Sequence, residues 1–321
     1  MRQWTLVLFS LIAWLTLSCP AQPAHAIANG TAVSPGKYGF AVKLTDYDIP
    51  VKGGGTRDSS CSGGLIAPHW VLTAAHCFRD VNGKRVSRPV ARKTVVTLAG
   101  SKQTAQVIAV RQSGTADVAL AELDVAITDV RPLRLGRHAP EVGSSVRLVG
   151  YGLLRAGTTK TPDRPRTGVF RVSSVSELEI GMSGVRPERT TSPCEHDSGG
   201  PYFTVAEDGT ATVVGVVSHG PDCPHTGADQ AGRVDAVAGW IQSVIGKDKA
   251  ATTKPRPDAR SAKPVAGPPE PVADGIPASW KFVGAGVVTL LIVVGFGRLA
   301  AGDGSWRRGT RRRRGTRRRR G

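Results

Sequence analysis

The chain has 321 residues, 40% of them hydrophobic, and a formal net charge of +18. This length is sufficient for one large hydrophobic core or two small ones. Ten of the positive charges are arginines in residues 307–321, which leaves +8 for the remainder. The basicity therefore belongs to a tail, and it does not indicate a basic binding surface on the folded part.

Residues 1–26 have the composition of a secretory signal peptide. Arg2 provides a positive charge, residues 4–17 are mostly apolar, and Ala24-His25-Ala26 is a small-residue cleavage site. The apolar run is too short for a comfortable membrane span, so we expect the segment to be removed on export. Lipoprotein processing at Cys19 is an alternative, but the residues before this cysteine fit a lipobox poorly.

Residues 27–247 are rich in Val, Gly, Thr and Ser, in short runs that are broken by turns. Short strands without intervening helices indicate an all-β barrel or sandwich. The exception is 234–245, where apolar residues follow helical spacing and predict a C-terminal amphipathic helix that ends at Gly246. The predicted strands are 38–44, 94–98, 106–110, 118–123, 146–149, 169–175 and 212–217.

Residues 248–279 contain seven prolines and few large apolar groups, which is typical of an extended linker. Residues 280–301 follow, and 282–297 is a run without any charged side chain. The run is shorter than the roughly 20 residues of a membrane helix, but Lys281 and Arg298 at its ends can reach the interface and extend it. We therefore predict a single transmembrane helix over 280–301.

The predicted span is followed by an arginine-rich tail, 302–321. Positive charge resists translocation, so we expect a single-pass protein of the cell membrane, with residues 27–279 outside and the tail in the cytoplasm. Contact with anionic lipid head groups is the expected role of the arginines. Binding of nucleic acid or of a protein partner is the alternative that we do not favour.

Three motifs in the folded part carry chemistry. A serine hydroxyl is a weak nucleophile that needs an adjacent base, and imidazole titrates near neutral pH. The base in turn needs an orienting carboxylate. By the motifs in which they stand, Ser198 is the candidate nucleophile, His76 the candidate base and Asp117 the candidate orienting acid; Glu122 and Asp124, deeper in the same predicted strand, are poorer candidates for the acid. The motifs are Leu72-Thr73-Ala74-Ala75-His76-Cys77, Asp117-Val118-Ala119-Leu120 and Cys194-Glu195-His196-Asp197-Ser198-Gly199-Gly200-Pro201.

With these motifs the chain resembles the trypsin/chymotrypsin-like serine proteases over nearly all of residues 27–246. The resemblance implies an all-β fold of two antiparallel six-stranded β-barrels with the active site in the cleft between them, and a C-terminal helix. It also implies hydrolysis of peptide bonds through an acyl-enzyme. Because the domain is expected to face outward from the membrane, we expect its substrates to be exported proteins or peptides. Further matching pieces are Ile27-Ala28-Asn29-Gly30, Cys61-Ser62-Gly63-Gly64-Leu65-Ile66, Val149-Gly150-Tyr151-Gly152 and Val217-Ser218-His219-Gly220.

The resemblance also implies a role for the N-terminus that cleavage would produce. Asp197 would receive the α-ammonium group of Ile27 in a buried ion pair that shapes the oxyanion hole. Ile27 follows Ala26 directly, so removal of the signal peptide would itself create this terminus. Cleavage a few residues before Ile27 would leave a short propeptide, which another protease would have to remove. The implied disulfides are Cys61–Cys77 and Cys194–Cys223, an even set that suits an exported protein.

The sequence departs from the family at His196, where the family usually has glycine. The backbone N–H groups of His196 and Ser198 are the implied oxyanion donors. A positive φ at this position would cost histidine ~1–2 kcal/mol. Three outcomes stay open: a tolerated substitution, a slow or selective enzyme, and a catalytically silent binding or sensor module displayed on a membrane stalk.

The substrate pocket is expected at residues that match the family's pocket walls. Ser192, six residues before Ser198, implies a neutral base for large apolar side chains, whereas a carboxylate at Asp229 would favour Arg or Lys. The other expected pocket residues are Ser218, His219 and Gly220.

No zinc-type spacing of histidines and no phosphate-binding loop is visible in the sequence, so we predict no metal or cofactor. The Ala/Arg/Gly-rich composition and the simple signal peptide suggest a bacterial source.

Overall fold

The first β-barrel contains the six strands β2 to β7, closed in the order β2-β3-β4-β7-β6-β5 with antiparallel pairing throughout. The computed structural model describes residues 27–158 and 161–253. Along β5 the side chains of Thr94, Val96 and Leu98 are buried and alternate with more exposed ones, as a strand with one face on a core requires. The strands are β1 (Thr31–Ala32), β2 (Ala41–Pro50), β3 (Thr56–Ala67), β4 (Trp70–Thr73), β5 (Lys93–Leu98), β6 (Thr104–Gln112) and β7 (Ala119–Leu123).

The second barrel runs β9-β10-β11-β14-β13-β12 and closes where β12 pairs with β9, again with antiparallel neighbours. Two short strands are added to it: β1 pairs with β10, and β8 pairs in parallel with β13. The expected all-β fold with two six-stranded barrels is therefore confirmed. The remaining strands are β8 (Arg134–Leu135), β9 (Ser145–Gly150), β10 (Arg166–Val175), β11 (Glu179–Arg186), β12 (Pro201–Val205), β13 (Ala211–His219) and β14 (Ala228–Arg233).

The seven predicted strands all overlap strands of the structure, but several strands have no clear signal in the sequence. The longest of these is β3, which contains Cys61-Ser62-Gly63-Gly64. Its residues 60–67 are all buried, so the alternation that would reveal a strand is absent. Gly64 is needed there because a Cβ would lie 2.5 Å from Leu133 Cδ1 and 3.2 Å from Pro201 Cγ.

The C-terminal helix differs from its prediction at both ends. A 3-10 turn, Asp235–Val237, comes first, and helix α1 extends over Ala238–Thr253. Ile241 is fully buried in the larger core cluster, which includes residues of both barrels. The prediction that Gly246 ends the helix is wrong: no neighbouring atom approaches this position, and one exposed glycine costs a helix only ~1 kcal/mol.

The described residues contain no helix that is both long enough and apolar enough to span a membrane. The predicted signal peptide (1–26) lies outside the described residues. So do the predicted transmembrane helix (280–301), the arginine-rich tail (302–321) and the linker beyond residue 253.

Candidate active site

The cleft between the barrels brings three predicted residues into one series of hydrogen bonds. His76 lies in a 3-10 turn after β4, Asp117 precedes β7, and Ser198 lies in the loop before β12. His76 Nε2 is 2.8 Å from Ser198 Oγ, and His76 Nδ1 is 2.7 Å from Asp117 Oδ2. An ionised carboxylate only accepts hydrogen bonds, so Nδ1 carries the proton and Nε2 is free to accept the Ser198 hydroxyl proton.

Several donors converge on the Asp117 carboxylate. The His76 backbone N–H donates to Oδ1 at 2.9 Å, and the Ser218 hydroxyl donates to Oδ2 at 2.6 Å. Burial alone would raise the pKa of Asp117, but the hydrogen bonds from His76 and Ser218 and the charge of His76 hold it at about 2. The carboxylate therefore stays ionised at any pH at which an imidazole can act as a base.

Sequence reasoning missed a cation beside this carboxylate. Arg85 Nη1 lies 3.7 Å from Asp117 Oδ1, and the arginine side chain is 37% exposed. Arg85 is an exposed residue in an isolated β-bridge with Arg79, and nothing in the sequence around it indicates such a contact. Because water screens an ion pair of this exposure, we expect a small contribution to the charge of the site.

The nucleophile loop is held against the first barrel by its backbone. The Ser62 N–H donates to the Ser198 carbonyl at 2.9 Å, and the Thr73 hydroxyl donates to the Ser62 carbonyl at 2.8 Å. Gly199 has φ +80, and a Cβ there would overlap Thr73 Oγ1 and lie 2.7 Å from the Ala74 nitrogen. Only glycine fits this contact, which sets the position of Ser198 relative to His76.

His196 adopts the left-handed conformation that a glycine would favour, with φ 72. Its ring nitrogen Nδ1 is 2.8 Å from the Ser60 carbonyl oxygen, and its own carbonyl accepts the Ser62 hydroxyl at 2.9 Å. In the part of the chain that the structure describes, the backbone N–H groups of His196 and Ser198 donate to no other protein group. Both expected oxyanion donors are therefore available.

Asp197 is completely buried directly beside the nucleophile. Its carboxylate accepts the Gly152 N–H at 2.7 Å and the Cys194 N–H at 3.0 Å, and the Ile27 N–H also donates to it. Burial raises the pKa of Asp197 to about 7, although these hydrogen bonds oppose the shift. Gly150 and Gly152 leave room for the group, because a Cβ at either position would overlap its oxygens.

Ile27 is fully buried in a second core cluster, which lies in the second barrel. The structure thus brings the expected ion-pair partners, Ile27 and Asp197, into contact.

Both disulfides that the resemblance implies are present. Cys61–Cys77 links β3 to the residue after His76, and Cys194–Cys223 links the nucleophile loop to the segment between β13 and β14. A disulfide of this kind contributes ~2–4 kcal/mol, mainly by restricting the unfolded chain.

A cavity of about 170 Å³ adjoins Ser198. It contains four of the five expected pocket residues, Ser218, His219, Gly220 and Asp229. The fifth, Ser192, is buried and does not line it. Its backbone pairs with Ala28, and its hydroxyl accepts the His225 backbone N–H at 3.3 Å.

Of the two residues that the sequence indicated for the base of the pocket, Asp229 lines the cavity, together with the acids Glu195 and Asp222. Asp229 lies beside Gly220, where a Cβ would overlap its carboxylate. Sequence reasoning also missed His225, whose Nε2 lies 3.1 Å from Asp229 Oδ1. Among the described residues, no group of three or more His, Cys, Asp or Glu side chains is placed to hold a metal ion.

A serine, a histidine and an aspartate in hydrogen-bonded series between two six-stranded β-barrels are the features of a serine endopeptidase. The family model described as Trypsin matches residues 27–241, and the chain belongs to this family.

Individual relatives are similar over about three fifths of the chain. The thrombin-like enzyme elegaxobin-1 of Protobothrops elegans is 29% identical over 223 residues, 61% of this chain and 90% of that protein. The thrombin-like enzyme contortrixobin of Agkistrodon contortrix contortrix is 27% identical over 61% of this chain and 89% of its own length. A solved structure of HL collagenase matches with a TM-score of 0.53 at 23% identity, over 68% of this chain and 99% of that chain, a likeness of fold.

Proposed function

We propose that the chain is a membrane-anchored serine endopeptidase that faces outward and cleaves exported proteins or peptides with a His76–Asp117–Ser198 triad. The observation that carries the triad is the unbroken series of contacts, 2.8 Å from Ser198 Oγ to His76 Nε2 and 2.7 Å from His76 Nδ1 to Asp117. A nucleophile and base within hydrogen-bonding distance, with the base oriented by a third group, form the minimal unit for acyl transfer.

The geometry indicates the path of the proton. Ser198 Oγ attacks the peptide carbonyl while His76 Nε2 takes its proton, and the imidazolium that forms is stabilised by Asp117. When the tetrahedral intermediate collapses, His76 returns the proton to the leaving amine, and an acyl-enzyme remains on Ser198. A water molecule then attacks the ester, gives its proton to His76, and releases the acid product with the Ser198 hydroxyl restored.

The developing oxyanion is bound by the backbone N–H groups of His196 and Ser198. Such donors act on charge that exists only in the intermediate and its transition states, and loss of one typically lowers the rate by ~10²–10³. The available N–H groups and the positive φ of His196 favour an enzyme over a silent binding module.

The mature N-terminus in this proposal is Ile27, produced by cleavage after Ala26. A free ammonium group at Ile27 would stand where its backbone N–H now donates to Asp197, and would supply the positive charge that this buried carboxylate lacks. A short propeptide, if cleavage falls earlier, would delay this pairing until a second cut.

The membrane anchor is proposed from the sequence of residues 280–301, and the cytoplasmic, lipid-contacting tail from the arginines of 302–321. Extraction of the full chain at alkaline pH tests the anchor. The full chain should stay with the membrane, and a chain ending at residue 279 should be released. The bacterial source stays a prediction.

Labelling with a fluorophosphonate, followed by mass spectrometry of the mature protein, tests the enzyme. We expect an N-terminus at Ile27 and a phosphonate on Ser198, with no label in the Ser198→Ala variant. An Ile27 start without labelling would overturn the proposed activity and favour the silent binding module. Labelling of a protein that starts upstream of Ile27 would support the triad but would overturn the proposed role of the Ile27 ammonium group.

A further inference from the structure

The positive charge of the folded part is concentrated on one hairpin beside the active site, residues 78–88, which we call the cationic hairpin. It contains four basic residues against one acid, Asp80, and so supplies +3 of the +8 that remains outside residues 307–321. The net charge of the sequence does not reveal this surface, because the fold decides which side chains it presents together. The basic residues, all of them exposed, are Arg79, Lys84, Arg85 and Arg88.

The backbone of the cationic hairpin is fixed by hydrogen bonds. The Val86 N–H donates to the Phe78 carbonyl at 2.9 Å, and the Asp80 N–H donates to the Lys84 carbonyl at 2.8 Å. The Gln112 side chain on β6 donates to the carbonyls of Val86 and Phe78, at 2.7 and 3.2 Å. A surface with a preset geometry loses little conformational entropy when a partner binds to it.

Two arginines face each other across this hairpin. Arg79 and Arg85 form an antiparallel β-bridge between the two backbone hydrogen bonds, so their side chains lie close together on the same face. Like charges at directly opposite positions are destabilising. Arg85 has the Asp117 carboxylate at 3.7 Å, whereas Arg79 forms no ion pair with any described residue. An anion at this face would offset the repulsion, so the pair points to a negatively charged ligand.

The acid of the hairpin does not neutralise its neighbours. Asp80 Oδ1 accepts the backbone N–H groups of Asn82 and Lys84, both at 2.9 Å, and thereby stabilises the turn. Within the described ranges, Lys84 and Arg88 form no ion pair either. Most of the positive charge of the hairpin is therefore available to a partner.

A cavity of about 280 Å³ adjoins the hairpin and adds an apolar component. Arg79 and Arg88 line it together with the apolar side chains of Ile49, Val81 and Val90. Val81, in the turn, is 44% exposed. A phosphate group of a lipid or a nucleic acid would match the arginines but leave the apolar lining in water. A peptide with an acidic residue next to an apolar one would match both, and burial of the apolar contact would add to the binding.

The hairpin is close to the reacting bond. In the series of contacts from Arg85 to Ser198, only Asp117 and His76 intervene. An extended peptide covers ~3.3–3.6 Å per residue, so an acidic residue a few positions away from the cleaved bond reaches the hairpin.

We propose that the cationic hairpin is a docking surface for an acidic and apolar segment of the protein substrate, a few residues away from the bond that Ser198 attacks. Carboxylates of the segment bind Arg79 and Arg88, and its apolar side chain covers Val81. The inference rests on the proposed function, because it assigns a substrate class to the same enzyme. The recognised residues lie outside the cavity beside Ser198, so the inference is independent of the side chain that this cavity takes.

The test compares kcat/KM for peptides that share one cleaved bond and differ in a single segment. The segment is Asp-Glu-Val or its uncharged isostere Asn-Gln-Val, joined by a Gly/Ser spacer either before or after the bond. With the full chain in a neutral detergent, the acidic segment should raise kcat/KM at least about fivefold in one placement, mainly through a lower KM. This ratio should fall as salt is added, because the charges are exposed. A ratio of about one in both placements would overturn the proposal.

Variants then assign the ratio to residues. Arg79→Gln and Arg88→Gln should each lower it, and the double variant should bring it to about one. The matched control Arg171→Gln removes an exposed arginine of the second barrel and should keep the ratio. Arg79→Gln should not lower the unfolding midpoint, because it relieves a pair of like charges, so a lost ratio would not reflect misfolding. A ratio that survives in the double variant would exclude the hairpin.

Binding to the Ser198→Ala variant separates the two levels of failure. If this variant binds the acidic peptide more tightly than its isostere while the wild type cleaves neither, the docking surface is supported and the proposed function fails. If the wild type cleaves both peptides equally, the docking surface fails and the proposed function remains. A ratio that is present in phosphatidylcholine vesicles and lost in phosphatidylserine vesicles would assign the hairpin to lipid head groups and overturn its role toward substrate.

Discussion

Replacement of His196 separates two opposing effects of this side chain on the oxyanion loop. At φ 72 a residue with a Cβ costs ~1–2 kcal/mol relative to glycine. The imidazole hydrogen bond to the Ser60 carbonyl offsets this cost by about 1 kcal/mol. His196→Gly removes both effects. It also raises the conformational entropy of the unfolded chain, which lowers the free energy of unfolding by ~0.4–1 kcal/mol. Its net change in the free energy of unfolding should therefore be close to zero.

His196→Ala keeps the cost of the positive φ but loses the hydrogen bond. We expect it to lower the free energy of unfolding by about 1 kcal/mol, or ~2–4 °C in Tm for a domain of this size. Thermal unfolding in a Ser198→Ala background avoids self-digestion, and kcat/KM is measured with Ser198 intact. The glycine variant should match the wild type in kcat/KM, and the alanine variant should be slower. Equal stability of the alanine and glycine variants would refute the reasoning.

Three further predictions concern the triad and its support. Gly199→Ala should abolish labelling of Ser198 and lower the unfolding midpoint, because its Cβ would overlap Thr73; full activity would contradict the packing argument. Asp117→Asn should lower kcat by ~10⁴. The pKa of Asp117 is about 2 in the fold and ~3.9 in the unfolded chain. The ionised group therefore adds about 2 kcal/mol to the free energy of unfolding above pH 4, and this contribution is lost as the pH falls through 2. Urea midpoints of the wild type and Asp117→Asn should therefore converge near pH 2, and a constant difference would exclude this linkage. Arg85→Ala should change kcat/KM by less than about threefold, since water screens the exposed pair; a larger loss would make Arg85 part of the machinery.

The candidate triad could be predicted because its signals are local. The motifs around His76, Asp117 and Ser198 each place a reactive residue within a short run of neighbours whose order is recognisable. Strands such as β5 and β13 were predictable for a related reason, since runs of valine and threonine favour a pleated, half-buried surface. The even number of cysteines outside the signal peptide likewise indicated disulfides, although their pairing came from the resemblance.

The sequence by itself determined which groups are available for acyl transfer and in which order they occur along the chain. Only the tertiary structure decided that His196 is held at a positive φ, that the Ser218 hydroxyl binds Asp117, and that Asp229 rather than Ser192 lines the cavity. These contacts join residues from different barrels and loops, in one case 136 positions apart in the chain. Their geometry depends on how closely backbones approach at a few glycines, and this packing leaves no periodic signal in the sequence.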